Sequence, residues 1–372
     1  MVISFFNKPY QSENGRAVLN AVASALWHVP GRFGIARVLG RSYSLRCVVF
    51  HDVSDNESLF TRGMDVSITP SKVESALQFL AKYYNPVCLQ DVLDDRSGRS
   101  LPSRAVLVTF DDGYASVMET AIPLCQRLGI PAVLFLNAAV LNNERLLADN
   151  LVCYVANTLG MGTINAAVRA VKGDTTPKLG SLMEVFARFF PSISLSGRES
   201  FLNALIHLGG INERQLATEA GLYLTGEQVR ELASANFEIG NHTRSHVHCR
   251  ALSSRHFCEE IEKNKVELET LSGTTVRSFS VPYGSSADLS GDFAASLQRS
   301  GHELIFLSEA VANPGGGERM CFDRVGPRAH SNETLFLELE LLPRLRTIRN
   351  WMRSPSAVSP PQDAQPSSSL SQ

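Results

Sequence analysis

Four side chains carry the chemistry this sequence offers: Asp111 and Asp112 in LVTFDDGYAS, and His242 and His246 in IGNHTRSHVH. The apolar run VLVTF leads straight into the two aspartates, and ligand sites of α/β proteins lie at the carboxyl ends of their strands. Neighbours on a strand point to opposite faces, and adjacent carboxylates repel. Gly113 lets the backbone bend, so both carboxylates can turn one way. A cation between or beside them would remove the repulsion; an exposed Asp-Asp-Gly turn is the plain alternative. His242 and His246 stand at i and i+4 after a second apolar run, FEIGN. On one helical turn that spacing puts both imidazoles on one face. Two imidazole nitrogens and one carboxylate oxygen form a known catalytic zinc set with a position left open for water. The same set suits iron, and other divalent metals such as cobalt or nickel remain open.

These residues need strands to present them. Short runs rich in Val, Ile and Phe read as buried strands at 46–51, 105–110, 132–137, 237–241, 278–282 and 304–308. Helical patterns lie between several of them: 70–84 with Ser71 as N-cap, 116–129 ending at Gly129, 225–236 opening on Thr225, and the charged stretch 252–273. The alternation predicts an α/β architecture with a mainly parallel sheet. Residues 138–220 break the rhythm and read as a mostly helical insertion. The Pro-, Ser- and Gln-rich tail 351–372 buries too little apolar surface to offset its ordering entropy, which predicts disorder.

Bulk composition narrows the function classes. A chain of 372 residues is long for one domain and short for three, and 44% hydrophobic residues can bury a large core. A net charge of -2 leaves no basic footprint for nucleic acid. Seven scattered cysteines without a CxxC pair read as reduced thiols. The N-terminus lacks the charge-then-apolar pattern of a signal peptide, so a cytoplasmic setting is expected. The amphipathic stretch 18–40, broken by Pro30 and Gly31, gives an N-terminal helical extension over 1–45 that packs on the body in preference to lying on a membrane. Oligomeric state is not legible.

TFDDGY, then PAVLFLN, then LTGEQVRELASANFEIGNHTRSH, then FSVPYG resembles the polysaccharide deacetylases of carbohydrate esterase family 4, the NodB-homology group. VVFHDVSD upstream resembles the opening of longer members. The resemblance covers roughly 46–137 and 221–330 and leaves the insertion outside. It implies a distorted (β/α) barrel of about seven strands over 46–350. It also implies removal of an acetyl group from an N-acetylated sugar, with a divalent metal, zinc first, as cofactor. It gives the carboxylates separate jobs: Asp111 as general base, and Asp112 as metal ligand with His242 and His246. Metal-activated water would attack the acetyl carbonyl as Asp111 takes its proton. Pro282 and Tyr283 would lie against substrate, with a backbone N–H near Tyr283 on the oxyanion.

The pattern is departed from in two places. Many members carry an Arg two residues before the Pro-Tyr pair, where this chain has Ser280. Arg324 in CFDRVGPR is the candidate to pair with Asp111 instead, a structural arginine being the alternative. The late Leu-x-x-His motif that supplies the general acid is not evident. His330, in the polar loop PRAHSNET, is the candidate, and His302 reads as following a helix end. His51 ends the first strand and is expected to line the same mouth against substrate, beside Asp52 as a turn residue. His248 and His28 read as surface or structural. The reading is a metal-dependent de-N-acetylase of a saccharide, with no nucleic-acid partner expected. Its rivals are a catalytically silent carbohydrate-binding protein on the same fold and a hydrolase of another amide or of an O-acetyl ester.

Overall fold

The computed structural model describes residues 21–31, 45–289, 292–313, 319–328 and 331–353. His330 and residues 354–372 of the tail lie outside the described residues, as does most of 1–45. The strands are β1 (Leu45–Phe50), β2 (Asp52–Val53), β3 (Ser67–Ile68), β4 (Asn85–Pro86), β5 (Ala105–Asp111), β6 (Ala132–Leu136), β7 (Glu238–Asn241), β8 (Ser278–Ser280), β9 (Leu304–Leu307) and β10 (Cys321–Val325). Neighbours run β1-β10-β9-β8-β7-β6-β5, and β5 pairs back onto β1, so seven parallel strands close a barrel. The expected seven-stranded (β/α) barrel is therefore present.

The strands read as apolar runs because both of their faces are covered. In β5, Leu107 packs into a cluster with Cys47, Val133, Phe135, Phe306 and Phe322, while Val106, Val108 and Phe110 pack with residues of the surrounding helices. Register sets the rim: Phe50 is level with Phe110, Asp111 with Phe135, and Leu136 with Asn241. His51, Asp111 and His242 therefore leave their strands at one end of the barrel.

Several local expectations shift. The helix Pro70–Tyr83 has Thr69, not Ser71, as its N-cap, because Pro70 takes the first helical position and fixes its φ there. The stretch from 115 divides into a 3-10 turn, Ala115–Met118, and the helix Ala121–Leu128, which Gly129 ends at φ +65°. Thr225 caps Gly226–Ser234 through a reciprocal box with Gln228. β10 has no continuous apolar run, because Asp323 and Arg324 interrupt it.

Residues 138–220 contain no strand. They hold the helices Ala148–Thr158, Met161–Lys172, Leu195–Gly209 and Glu213–Ala220 around a separate apolar cluster that includes Val152, Phe186, Phe189, Phe201 and Leu205. Residues 21–27 are helical, and Trp27 packs on Phe79, Tyr83 and Phe336. No described helix is long and apolar enough to cross a membrane. All seven cysteines are unpaired.

One buried ion cluster ties the first barrel strand to the C-terminal helices. Glu340 accepts two bonds from Arg46, both 2.9 Å, one of 2.7 Å from Arg344 and one of 2.9 Å from the Tyr84 hydroxyl. Removing Glu340 would take the shared carboxylate from two buried guanidiniums at once. Glu340→Ala is expected to cost about 3–5 kcal/mol in denaturant unfolding; a loss below about 1 kcal/mol would assign these contacts no structural weight.

Candidate metal centre and active site

Asp111 is the last residue of β5. Asp112 (φ +69°) and Gly113 (φ +71°) then take left-handed conformations in succession. This double turn overrides the alternation of the strand. Both carboxylates come to face His242, at 3.8 Å from Asp111 Oδ2 and 3.3 Å from Asp112 Oδ1. Both are also only 3% exposed.

His242 and His246 do not lie on a helical turn as their spacing suggested. Residues 242–248 form an irregular loop in which Thr243 (φ +59°) and His246 (φ +52°) are left-handed. The loop curls back and brings the two rings to 5.0 Å between centroids. It is held from inside by Asn137, whose Nδ2 donates to the carbonyls of His242 and Thr243 at 2.5 and 2.8 Å. A helix there would have used those carbonyls internally.

The geometry of the three ligand candidates fits a cation. His242 Nδ1 lies 2.8 Å from the Ser280 carbonyl, which can only accept, so Nδ1 carries the proton. His246 Nδ1 lies 2.8 Å from Asp149 Oδ2 and donates to it. Each Nε2 is thereby left with its lone pair turned inward, at 3.3 and 3.5 Å from Asp112 Oδ1. Asp112 Oδ1 is buried without a hydrogen-bond partner. Asp112, His242 and His246 each offer one ligand atom, all within 4.8 Å of one another. An orphaned carboxylate oxygen facing two imidazole lone pairs matches the donor types of a catalytic metal site.

Asp111 has a different environment. Arg324, reaching from β10, grips it with both ends of its guanidinium, Nη1 to Oδ1 and Nη2 to Oδ2, each 2.7 Å. Nη2 also donates to Ser280 Oγ at 2.7 Å, and that hydroxyl lies 3.2 Å from Asp111 Oδ2. A bidentate pair of this kind is among the stronger ionic contacts. Burial pushes the Asp111 carboxyl up, but Arg324 and His242 outweigh it and hold it below the usual range. Burial likewise raises Asp112, and His246, His242 and His51 hold it far lower. The residue at 280 is thus not idle: it links the cation to the carboxylate that it replaces an arginine in serving.

His51 follows β1 at the same rim. Burial lowers its pKa, and Asp112 and Asp111 pull it upward without cancelling that effect. Pro282 is buried, and Tyr283 stands at φ +61°. The Tyr283 ring stacks on His248 at 3.6 Å and 6°, and its hydroxyl donates to Asp149 Oδ1 at 2.7 Å. Gly284 follows at φ +67°, where an added Cβ would meet the Ser308 Cβ at 2.4 Å.

Other residues fall elsewhere. Asp52 is in a strand, not a turn, and accepts from Ser67 and Ser116. His302 is buried below the site against Asn241 Nδ2 at 3.0 Å, with its pKa lowered to about 4 mainly by burial. His28 is exposed. His248 is buried and binds the Phe186 carbonyl at 2.9 Å. The insertion residues Asp149, Asn150 and Arg198 were not singled out in the sequence, since no motif spacing reaches into 138–220.

Arg324→Met would leave Asp111 buried without its cation. The destabilisation is expected to be about 3–5 kcal/mol at pH 7. A depressed carboxyl pKa contributes stability above the unfolded value near 4 and loses it as pH falls through the native value. The gap between wild type and Arg324→Met should therefore narrow as pH falls, first as the stranded carboxylate, pushed up by burial, protonates in the variant, and further below about pH 4 as the wild type loses the contribution of its own ionised Asp111. A gap independent of pH in urea titrations would contradict the pairing.

No curated protein matches the sequence. The polysaccharide deacetylase family model matches residues 198–302, which carry both histidines and the Pro-Tyr-Gly turn. IcaB from Ammonifex degensii is similar in fold, with 18% identity, a TM-score of 0.52, and 81% of this chain and 98% of that chain covered. The deacetylase PplD from Streptococcus pyogenes, in complex with acetate, gives 13% identity and a TM-score of 0.53 over 81% of this chain and 99% of that chain. Family match and fold together show the resemblance read from the motifs: this chain is recognised as similar to the polysaccharide deacetylases of carbohydrate esterase family 4.

Proposed function

We propose that this chain is a metal-dependent hydrolase that removes N-acetyl groups from a saccharide, with zinc as the first candidate metal. The observation that carries this reading is the division of the buried aspartate pair. Asp111 is locked to Arg324, while Asp112 offers an unpartnered oxygen to two imidazoles. Bound by Asp112, His242 and His246, a divalent cation supplies Lewis-acid chemistry, polarising a carbonyl and activating water at neutral pH.

The chain's own residues do the rest. Arg324 keeps Asp111 ionised and fixes its plane. Asp111 Oδ2 is engaged by both Arg324 and Ser280, whereas Oδ1 carries one bond and retains a lone pair. Oδ1 is therefore the atom that accepts the proton of the attacking water. The left-handed Tyr283 turn, packed beside His246, sets the wall against which the acetamide lies, with Pro282 behind it. His51, at the β1 rim and within the electrostatic reach of both carboxylates, is assigned to the sugar side of the substrate. The leaving amine needs a proton from a second group. We read residues 46–350 as the deacetylase-like unit that carries this site, with 138–220 inserted into it.

The test is an acetate-release screen across N-acetylated and O-acetylated glycans, using metal-stripped and zinc-reloaded protein. Acetate should appear from an N-acetylated glycan only after reloading. Asp111→Asn should keep its metal and lose about 10²–10⁴-fold in turnover, whereas Asp112→Asn should lose the metal. Release from O-acetyl esters alone would move the activity to another bond. Loss of metal in Asp111→Asn with turnover intact would reverse the two carboxylate roles.

A further inference from the structure

The barrel supplies the anchor for one metal-binding histidine and not for the other. His242 Nδ1 is held by the carbonyl of Ser280, the last residue of β8. His246 Nδ1 is held by Asp149, which lies 97 residues away in the insertion. Asp149 is the second residue of the helix Ala148–Thr158 and is 1% exposed. Its position in the first turn suits a carboxylate, because the helix N-terminus carries partial positive charge. One oxygen accepts from His246, and the other accepts from the Tyr283 hydroxyl at 2.7 Å. A single buried carboxylate thus joins a metal-ligand loop to the Pro-Tyr-Gly turn.

Its neighbours grip the same parts. Arg198, also in the insertion, donates to the carbonyls of Ser245 and His246 at 3.0 and 2.8 Å. Asn150, next to Asp149, donates to the Tyr114 hydroxyl at 2.9 Å, two residues beyond Asp112. Consecutive residues of one helical turn therefore reach the two motifs that supply the three metal-ligand candidates.

We propose that Asp149 is a positioning residue for the metal centre: it fixes the tautomer and ring orientation of His246, so that the insertion is a working part of the site. This rests on the metal reading above. A carboxylate on the far nitrogen of a ligating histidine raises its basicity, and losing such a partner typically weakens metal binding about 10–100-fold.

The experiment titrates metal-stripped full-length protein with Co²⁺ and follows the visible absorption of the complex. Asp149→Asn, close to isosteric, is expected to weaken Co²⁺ binding about 10–100-fold and to shift the absorption band. Asn165→Ala is the control. Asn165 ties Leu179 to the helix Met161–Lys172 inside the same insertion and does not touch His246. It should lower the melting temperature and leave Co²⁺ affinity and the band unchanged. A second readout needs no variant: long-range ¹⁵N correlation on the Zn²⁺-loaded wild type should show His246 protonated at Nδ1. Wild-type affinity and spectrum in Asp149→Asn, equal weakening in Asn165→Ala, or a His246 proton on Nε2 would each overturn the role of Asp149 while leaving the metal site standing. Failure of the wild type to bind Co²⁺ or Zn²⁺ would remove the metal reading itself, and this role with it.

Discussion

Burying two adjacent carboxylates is the constraint on which this structure turns. Unit charges about 4 Å apart repel by about 4 kcal/mol at the effective dielectric of a protein site, and desolvation adds to that. The chain resolves the conflict by giving each aspartate a different counterpart. Arg324 takes both oxygens of Asp111, and Asp112 is left to two imidazoles. On the proposed function, the division is also a division of labour. A carboxylate held on both oxygens by a fixed guanidinium, and on one of them by a serine as well, cannot readily wrap a metal, whereas one with an unpartnered oxygen among imidazole lone pairs is suited to it.

That division depends on barrel closure. Arg324 belongs to β10, the strand that completes the ring by pairing with β1 and β9. Its guanidinium passes Thr109 Oγ1 at 3.1 Å on the way to Asp111, so the strand that closes the barrel also neutralises its rim. The site gathers residues from the ends of β1, β5, β7 and β8 and from within β10. The insertion then braces it from outside through Asp149 and Arg198. Chemistry, fold closure and insertion are thus coupled through a few buried polar contacts.

What could be read from sequence follows from how each feature is encoded. Six barrel strands were legible because parallel strands covered on both faces become continuous apolar runs. β10 was not, since Arg324 on its inner face and half-buried Asp323 on the other both break the run. Asp111, Asp112, His242 and His246 were legible as types and spacings. The conformation behind the second pair was not: the i, i+4 spacing fits a helical turn, and the two left-handed residues Thr243 and His246 achieve the same approach without one. Arg324 as the partner of Asp111 could be proposed only because Ser280 stood where an arginine was expected. Asp149 left no trace, because a lone acid far along the chain has no periodicity and its role exists only once the helix is docked.

The most direct test of a cation gripped by groups so distant in the chain is anomalous diffraction from crystals of zinc-loaded protein. One peak bounded by Asp112 Oδ1, His242 Nε2 and His246 Nε2, with Arg324 still on Asp111, is the predicted result. A peak against Asp111, or none between the two imidazoles, would contradict it.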